Sequence, residues 1–231
     1  MCTRYSLAKS PEALSKRYGI KLKDPLKPRY NIAPTQTAAV ITNRRTDEFS
    51  FFRWGLIPNW SLDETGGLNL FNARGETLFA KTPFKHVVRS QRCLVPSDGF
   101  FEWKKVGKNK VPYRIMLASD EIFSLAGLWD SWENSKGEII NSFTIVTVDA
   151  NKLVAEVHDR MPVILTQETE GMWLNDKATD AQIQAMLKPF DPEKMSFYQA
   201  HRVVNSVAYD YPECIQMAPK IYPGESFSLF D

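Results

Sequence analysis

The sequence predicts an α+β fold: a single β-rich domain, residues 1–231, whose sheet curls into a barrel-like form with short flanking helices. Three observations carry this expectation. Short runs of strand composition outnumber the helical ones and are scattered between them. No repeat, low-complexity tract or long linker marks a domain boundary. A chain of 231 residues, 43% hydrophobic and 24% charged, can bury one sizeable core.

The elements follow in order. Ser10-Pro11-Glu12 has the pattern of an N-cap, a first-turn proline and an early acid, and Gly19 that of a C-terminal stop, which predicts a helix over 11–18. Residues 37–41 and 49–54 read as strands around a polar turn at 43–47, and 62–68, with Gly66-Gly67, as a flexible connection. A helix is expected over 83–90. Strands are expected over 93–95, 99–105 and 111–117, the last two joined by a hairpin turn at 106–110 containing Gly107. Residues 122–132 and 139–148 extend the sheet. Short helices are read at 152–157, 167–174 and 180–187, and a buried strand at 161–165.

Composition excludes several classes. No stretch approaches the roughly 18 apolar residues that span a bilayer, and the start MCTRYSLAKS lacks the apolar run of a secretory signal. The expectation is a cytoplasmic or nucleoid-associated protein without membrane contact, acting as a monomer. Cys2, Cys93 and Cys214 are odd in number and far apart, so neither a disulfide framework nor a metal site is indicated. No cofactor is expected. The net charge of +2 hides an asymmetry: residues 1–114 hold 21 Lys and Arg against 9 Asp and Glu, and residues 115–231 hold 8 against 18. Such polarity fits a surface that meets a polyanion, built from the first half; the alternative is two faces that are merely solvated.

Cys2 follows the initiator methionine. Once Met1 leaves, Cys2 carries two nucleophiles on adjacent carbons, an α-amine of ordinary pKa about 7.7–8.0 and a thiol of about 8.5. A 1,2-aminothiol condenses with an aldehyde to an imine, and sulfur then closes a five-membered thiazolidine, an intramolecular step that gains from proximity.

Further motifs lie in order along the chain: Arg4-Tyr5; Tyr30-Asn31-Ile32-Ala33-Pro34-Thr35-Gln36; Trp54-Gly55-Leu56-Ile57-Pro58-Asn59-Trp60; Asn72-Ala73-Arg74-Gly75-Glu76-Thr77; Arg92-Cys93-Leu94-Val95-Pro96-Ser97-Asp98-Gly99-Phe100-Phe101-Glu102-Trp103; and His158-Asp159-Arg160-Met161-Pro162. Together with Cys2 they resemble the SRAP (SOS-response-associated peptidase) family, whose members shield abasic sites in single-stranded DNA, and the similarity runs from Cys2 to about Asn205. The resemblance implies that Cys2 is the nucleophile, freed by self-processing of Met1, and forms a DNA–protein cross-link with the abasic aldehyde. It implies that Asn72 holds the N-terminal residue and the sugar, and that Glu102 and His158 are catalytic. Arg4, Arg74 and Arg160 would contact DNA phosphates, Trp60 would stack on a base, and Pro34 would lie in the loop beside the DNA groove.

The residues support these roles on their own chemistry. Imine formation moves protons when the sugar ring opens, when the amine attacks and when water leaves, and a carboxylate with an imidazole suits this work. Glu102 sits between Phe101 and Trp103, where partial burial raises a carboxyl pKa; on its own it reads equally as an exposed residue of an alternating strand. His158 stands in a polar turn, whereas His86 reads as a surface residue and His201 as structural. Arginine forks match phosphate, and Trp60 can stack on an unpaired base; Trp54, Trp103, Trp129 and Trp132 read as core. Two departures from the family pattern stand out: Thr3 where glycine is common, and Tyr198-Gln199-Ala200-His201 before Val203-Val204-Asn205 where His-Pro-Val-Ser is usual. Cys93 and Cys214 carry no role. Rival readings are a thiol peptidase acting on other proteins, which needs no DNA-binding arginines, and a non-covalent single-strand binding module, which forms no bond that survives denaturation.

Overall fold

Thirteen strands and four helices form between Tyr5 and Gln199 in the computed structural model, which describes residues 2–22, 26–67 and 70–219. The strands are β1 (Tyr5–Leu7), β2 (Arg29–Ile32), β3 (Thr37–Thr42), β4 (Arg45–Trp54), β5 (Asn72–Arg74), β6 (Arg92–Ser97), β7 (Gly99–Val106), β8 (Asn109–Leu117), β9 (Phe123–Glu133), β10 (Ile139–Asp149), β11 (Arg160–Pro162), β12 (Ile164–Leu165) and β13 (Met195–Gln199). The helices are α1 (Pro11–Tyr18), α2 (Phe84–Ser90), α3 (Gln167–Leu174) and α4 (Asp180–Met186).

The strands make two sheets. One runs β13-β8-β7-β1-β2. In the other, β10 pairs with β4, β4 with β3, β3 with β6 and β6 with β9, and β9 returns to β10. That last pairing closes a five-strand ring, which is the barrel-like sheet the sequence predicts. The closure is narrow in two places: β4 meets β10 at Arg53 and Trp54, and β3 meets β6 at Ile41 and Thr42. Most neighbours are antiparallel, but β4 and β5 run parallel to β10.

The chain passes from ring to open sheet at Ser97-Asp98-Gly99. Buried Asp98 holds this corner: it accepts hydrogen bonds from Ser6 Oγ (2.6 Å), from the backbone N–H of Lys9 (3.0 Å) and from Arg114 Nη2 (3.0 Å). A Cβ at Gly99 would lie 2.8 Å from Arg114 Nε, so a larger residue there would have to displace the guanidinium that bonds Asp98. The core fills the space between the sheets, with Trp54 stacked on Phe143 at 6.2 Å and edge-on to Tyr5 at 5.2 Å.

Local signals explain where the expectations hold. In α1, Ser10 Oγ accepts from Ala13 N–H at 3.3 Å and Gly19 ends the helix at φ 67°. A Thr179–Gln182 capping box starts α4. Gly107, at φ 59°, takes the first central position of the two-residue turn between β7 and β8.

Several expectations change. The turn at 43–47 contracts to Asn43-Arg44, because polar β4 continues to pair as far as Arg45 opposite Thr42. The strand at 161–165 is two strands: β11 pairs β10, and after Val163 β12 pairs β9. The helix at 152–157 is a single 3-10 turn, Val154–Glu156. Within 62–68, Glu64–Gly67 forms a 3-10 turn, and Leu68 lies outside the described residues, as does Met1. Strands β1, β2, β5 and β13 were not among the expected ones. Among the described residues, no helix is long and apolar enough to cross a membrane.

Candidate active site

Residue 2 is held where the two sheets meet. Strand β1 pairs antiparallel with β7, Tyr5 opposite Phe100, and Phe101 N–H donates to the Arg4 carbonyl at 2.9 Å. This register carries Glu102, one residue further along β7, toward Cys2. From the ring, β5 pairs with β10 so that Asn72 stands opposite Ile145, and Asn72 Nδ2 donates to the Cys2 carbonyl at 2.8 Å. His158 lies in the turn before β11, held by its N–H to the Val154 carbonyl at 2.9 Å. Its Nε2 comes within 3.8 Å of Glu102 Oε2. Four residues spread over more than 150 positions thus converge.

Their electrostatics follow from burial. Cys2 and Glu102 are buried, Glu102 with 3% of its surface exposed. Burial pushes the Glu102 carboxyl up to about 7, so near neutral pH it exists as both acid and carboxylate. Burial, reinforced by the Glu102 charge, pushes the Cys2 thiol far above its ordinary value. The thiol is therefore protonated at neutral pH, and the few per cent of thiolate that an unperturbed cysteine carries do not apply. Burial also lowers His158 below the ordinary histidine value, which leaves its ring neutral at pH 7. The Arg160 backbone N–H donates to His158 Nδ1 at 3.0 Å, so in the neutral ring the proton sits on Nε2, toward Glu102. Exposed Asp159 approaches the same Nδ1 at 2.9 Å and becomes its partner only when the ring is protonated.

The residues assigned to DNA divide into two groups. Trp60 is 62% exposed on a loop that is firmly held: Asn59 N–H donates to Asp130 Oδ2 (2.9 Å), Trp132 Nε1 to the Ser61 carbonyl (2.7 Å) and Ile57 N–H to Ser142 Oγ (2.8 Å). Arg74 is exposed and has no ion pair among the described residues. Pro34 is half-buried in the turn from β2 to β3, followed by Thr35 at φ 71°. Arg4 and Arg160, in contrast, face inward. Arg4 donates through Nη1 to Asn31 Oδ1 (2.8 Å) and the Val204 carbonyl (2.6 Å), with its guanidinium over Trp103. Arg160 forks onto Glu76 (2.7 and 3.0 Å), meets Asp149 at 2.5 Å and donates to the Thr147 carbonyl at 2.8 Å. Among the described residues, both guanidiniums are bonded within the protein, unlike that of Arg74.

Other sequence readings meet their structure here. His86 is exposed, and His201 caps a 3-10 turn through Nδ1. Trp54 and Trp132 are buried, whereas Trp103 and Trp129 are half-buried. Thr3 does not occupy the left-handed region, so the glycine common at that position is not needed for backbone reasons. The divergent 198–205 segment packs beside Arg4, and it is the Val204 carbonyl that does the bonding there; a backbone group tolerates changes of side chain. Two residues escaped the sequence reading. Asn31 Nδ2 donates to the carbonyls of Val204, Ser206 and Tyr209, tying the C-terminal segment to β2. Asp130 fixes the Trp60 loop. Asn31 lies within a quoted motif, but nothing near Asp130 in the sequence marks it.

Fold and site define an α+β protein whose own second residue sits against a buried carboxyl, an imidazole and an amide. A profile of the SOS response associated peptidase (SRAP) family matches residues 1–207, and the chain belongs to that family. It is 40% identical over 222 residues to the abasic site processing protein YoqW of Bacillus subtilis, covering 94% of this chain and 99% of that one. It is 32% identical to the abasic site processing protein HMCES of Gallus gallus over 82% of this chain and 66% of that one. A crystal structure of a Bacteroides thetaiotaomicron protein superposes with TM-score 0.86 at 35% identity, covering 94% of this chain and all of that one.

Proposed function

We propose that this chain processes abasic sites in single-stranded DNA by covalent capture: after removal of Met1, Cys2 and the open-chain aldehyde form a thiazolidine cross-link. The observation that carries this reading is the convergence of Glu102, His158 and Asn72 on residue 2. The names of the two relatives described above, both abasic site processing proteins, support the substrate.

The α-amine acts first, since the buried thiol is protonated. Its nitrogen attacks the aldehyde carbon, and the carbinolamine loses its hydroxyl as water, leaving a C=N bond. Glu102 in its acid form supplies the proton for that departure. The Cys2 sulfur then bonds to the imine carbon while its proton passes, by way of the Glu102 carboxylate, to nitrogen. Overall one aminothiol and one aldehyde give one thiazolidine and one water. Neutral His158 hands protons to and from Glu102 through Nε2, and Asn72 orients the Cys2 backbone. The same carboxyl serves hydrolysis of the Met1–Cys2 bond. Trp60 and Arg74 hold the strand by stacking and phosphate contact, while Arg4 and Arg160 position the site from within.

Mixing pure protein with an abasic single strand and resolving the products on a denaturing gel tests the reading. Wild type should give a band that survives boiling, and Cys2→Ala should give none. A thiol peptidase acting on other proteins is less well supported, because the Cys2 thiol is fully buried and hard to ionise. Cleavage of protein substrates without DNA attachment would decide for it.

A further inference from the structure

We propose that the β7–β8 hairpin is a phosphate-binding arm that takes the single strand onward from the abasic site; this rests on the DNA reading above. The strand that carries Glu102 continues outward as Lys104-Lys105, turns at Gly107-Lys108 and returns through Lys110. Lys105, Lys108 and Lys110 are exposed and Lys104 is half-buried. Between Gly99 and Leu117 the one acidic residue is Glu102, and it is buried.

Two independent features mark this charge as unusual. First, Lys105 stands directly opposite Lys110 in the antiparallel register, a like-charge pair that costs the hairpin stability. Secondly, several other basic residues of the first half are neutralised by acids: Lys9 pairs with Asp120, Arg17 with Glu170, Arg29 with Asp210, Arg44 with Asp176 and Arg89 with Asp180. None of the four hairpin lysines has an ion pair among the described residues. The hairpin thus keeps an uncompensated cluster that a polyanion would neutralise. Its place fits a strand leaving the site. At about 3.3 Å per residue, the Lys105–Lys110 pair lies about 10 Å along the strand from Glu102, with the turn beyond it. Lysine, a flexible point charge, suits sequence-independent phosphate contact.

The test is the salt dependence of binding to unmodified oligothymidylate, for wild type and for Lys105→Gln/Lys108→Gln/Lys110→Gln. On a strand of about 20 nucleotides the variant should bind more weakly, and its slope of log affinity against log salt should be shallower by about 2, the value for three phosphates on a single strand. A control with Lys16→Gln/Lys177→Gln/Lys188→Gln removes equal charge from other exposed positions and should behave as wild type. The melting temperature of the hairpin variant should equal or exceed that of wild type, since a repulsive pair is gone. A wild-type slope in the hairpin variant overturns the arm. So does an equal loss in the control, which would make the effect one of net charge. Cross-linking of an abasic strand by wild-type protein, scored separately, tests the Cys2 chemistry: an arm effect without cross-linking, or cross-linking without an arm effect, tells the two readings apart.

Discussion

In the proposed chemistry, burial sets three proton affinities around residue 2 against one another. The Cys2 thiol is pushed up, His158 is pushed down, and Glu102 is raised to about 7, so Glu102 changes charge near neutral pH. Glu102→Gln should slow cross-linking at saturating DNA by about 10²–10⁴-fold, and His158→Ala by a similar factor. The wild-type rate should also titrate near pH 7, a transition that Glu102→Gln should lack. Both variants need Met1 removed beforehand by a separate aminopeptidase, because a retained Met1 blocks the amine and mimics a lost proton donor. Equal rates in wild type and both pre-processed variants would remove these residues from the chemistry. The motifs named the residues that converge on Cys2, whereas the bond between Arg160 and Glu76 was not legible: the two lie 84 positions apart, a distance no local pattern spans.

At the scale of elements, the proposed reading assigns binding to the Trp60 loop and stability to β11. Trp60→Ala should lose about 1–3 kcal/mol of affinity for a single strand, one stacked base. Asp130→Ala should lose part of the same affinity, because the loop keeps its tryptophan but not its anchor. Arg74→Ala should flatten the salt slope by about 0.7. Arg160→Ala should leave that slope unchanged and lower stability by about 1–2 kcal/mol, as the exposure of Glu76 and Asp149 limits the cost. Isothermal titration across a salt series and chemical denaturation separate these effects. Helices were read well because caps are local: Ser10, Gly19 and Thr179 announce their ends within a turn. Strands of three to five residues, such as β1, β5 and β13, are too short to show alternation, and only their neighbours in the sheet define them.

For the whole molecule, the two oppositely charged halves prove to be interleaved. The acids of the second half neutralise much of the first, so charge counted along the chain overstates the basic surface. Stability should also carry the mark of the site. Glu102 has a folded pKa above its ordinary 4.5, so its contribution is fully present below that value and is lost as pH rises through about 7. Glu102→Gln, which cannot ionise, should therefore gain on wild type between pH 5 and pH 9 by about 1–3 kcal/mol. Urea midpoints across that range measure it, and parallel curves would mean the carboxyl is not held in its acid form.

The most direct measurement is the intact mass of the product formed with an abasic single strand, followed by digestion to locate the attachment. Loss of Met1, addition of the strand minus one water, and attachment at Cys2 is the expected result. A denaturation-stable adduct of Cys2→Ala, or a wild-type adduct attached at any other residue, would contradict the account.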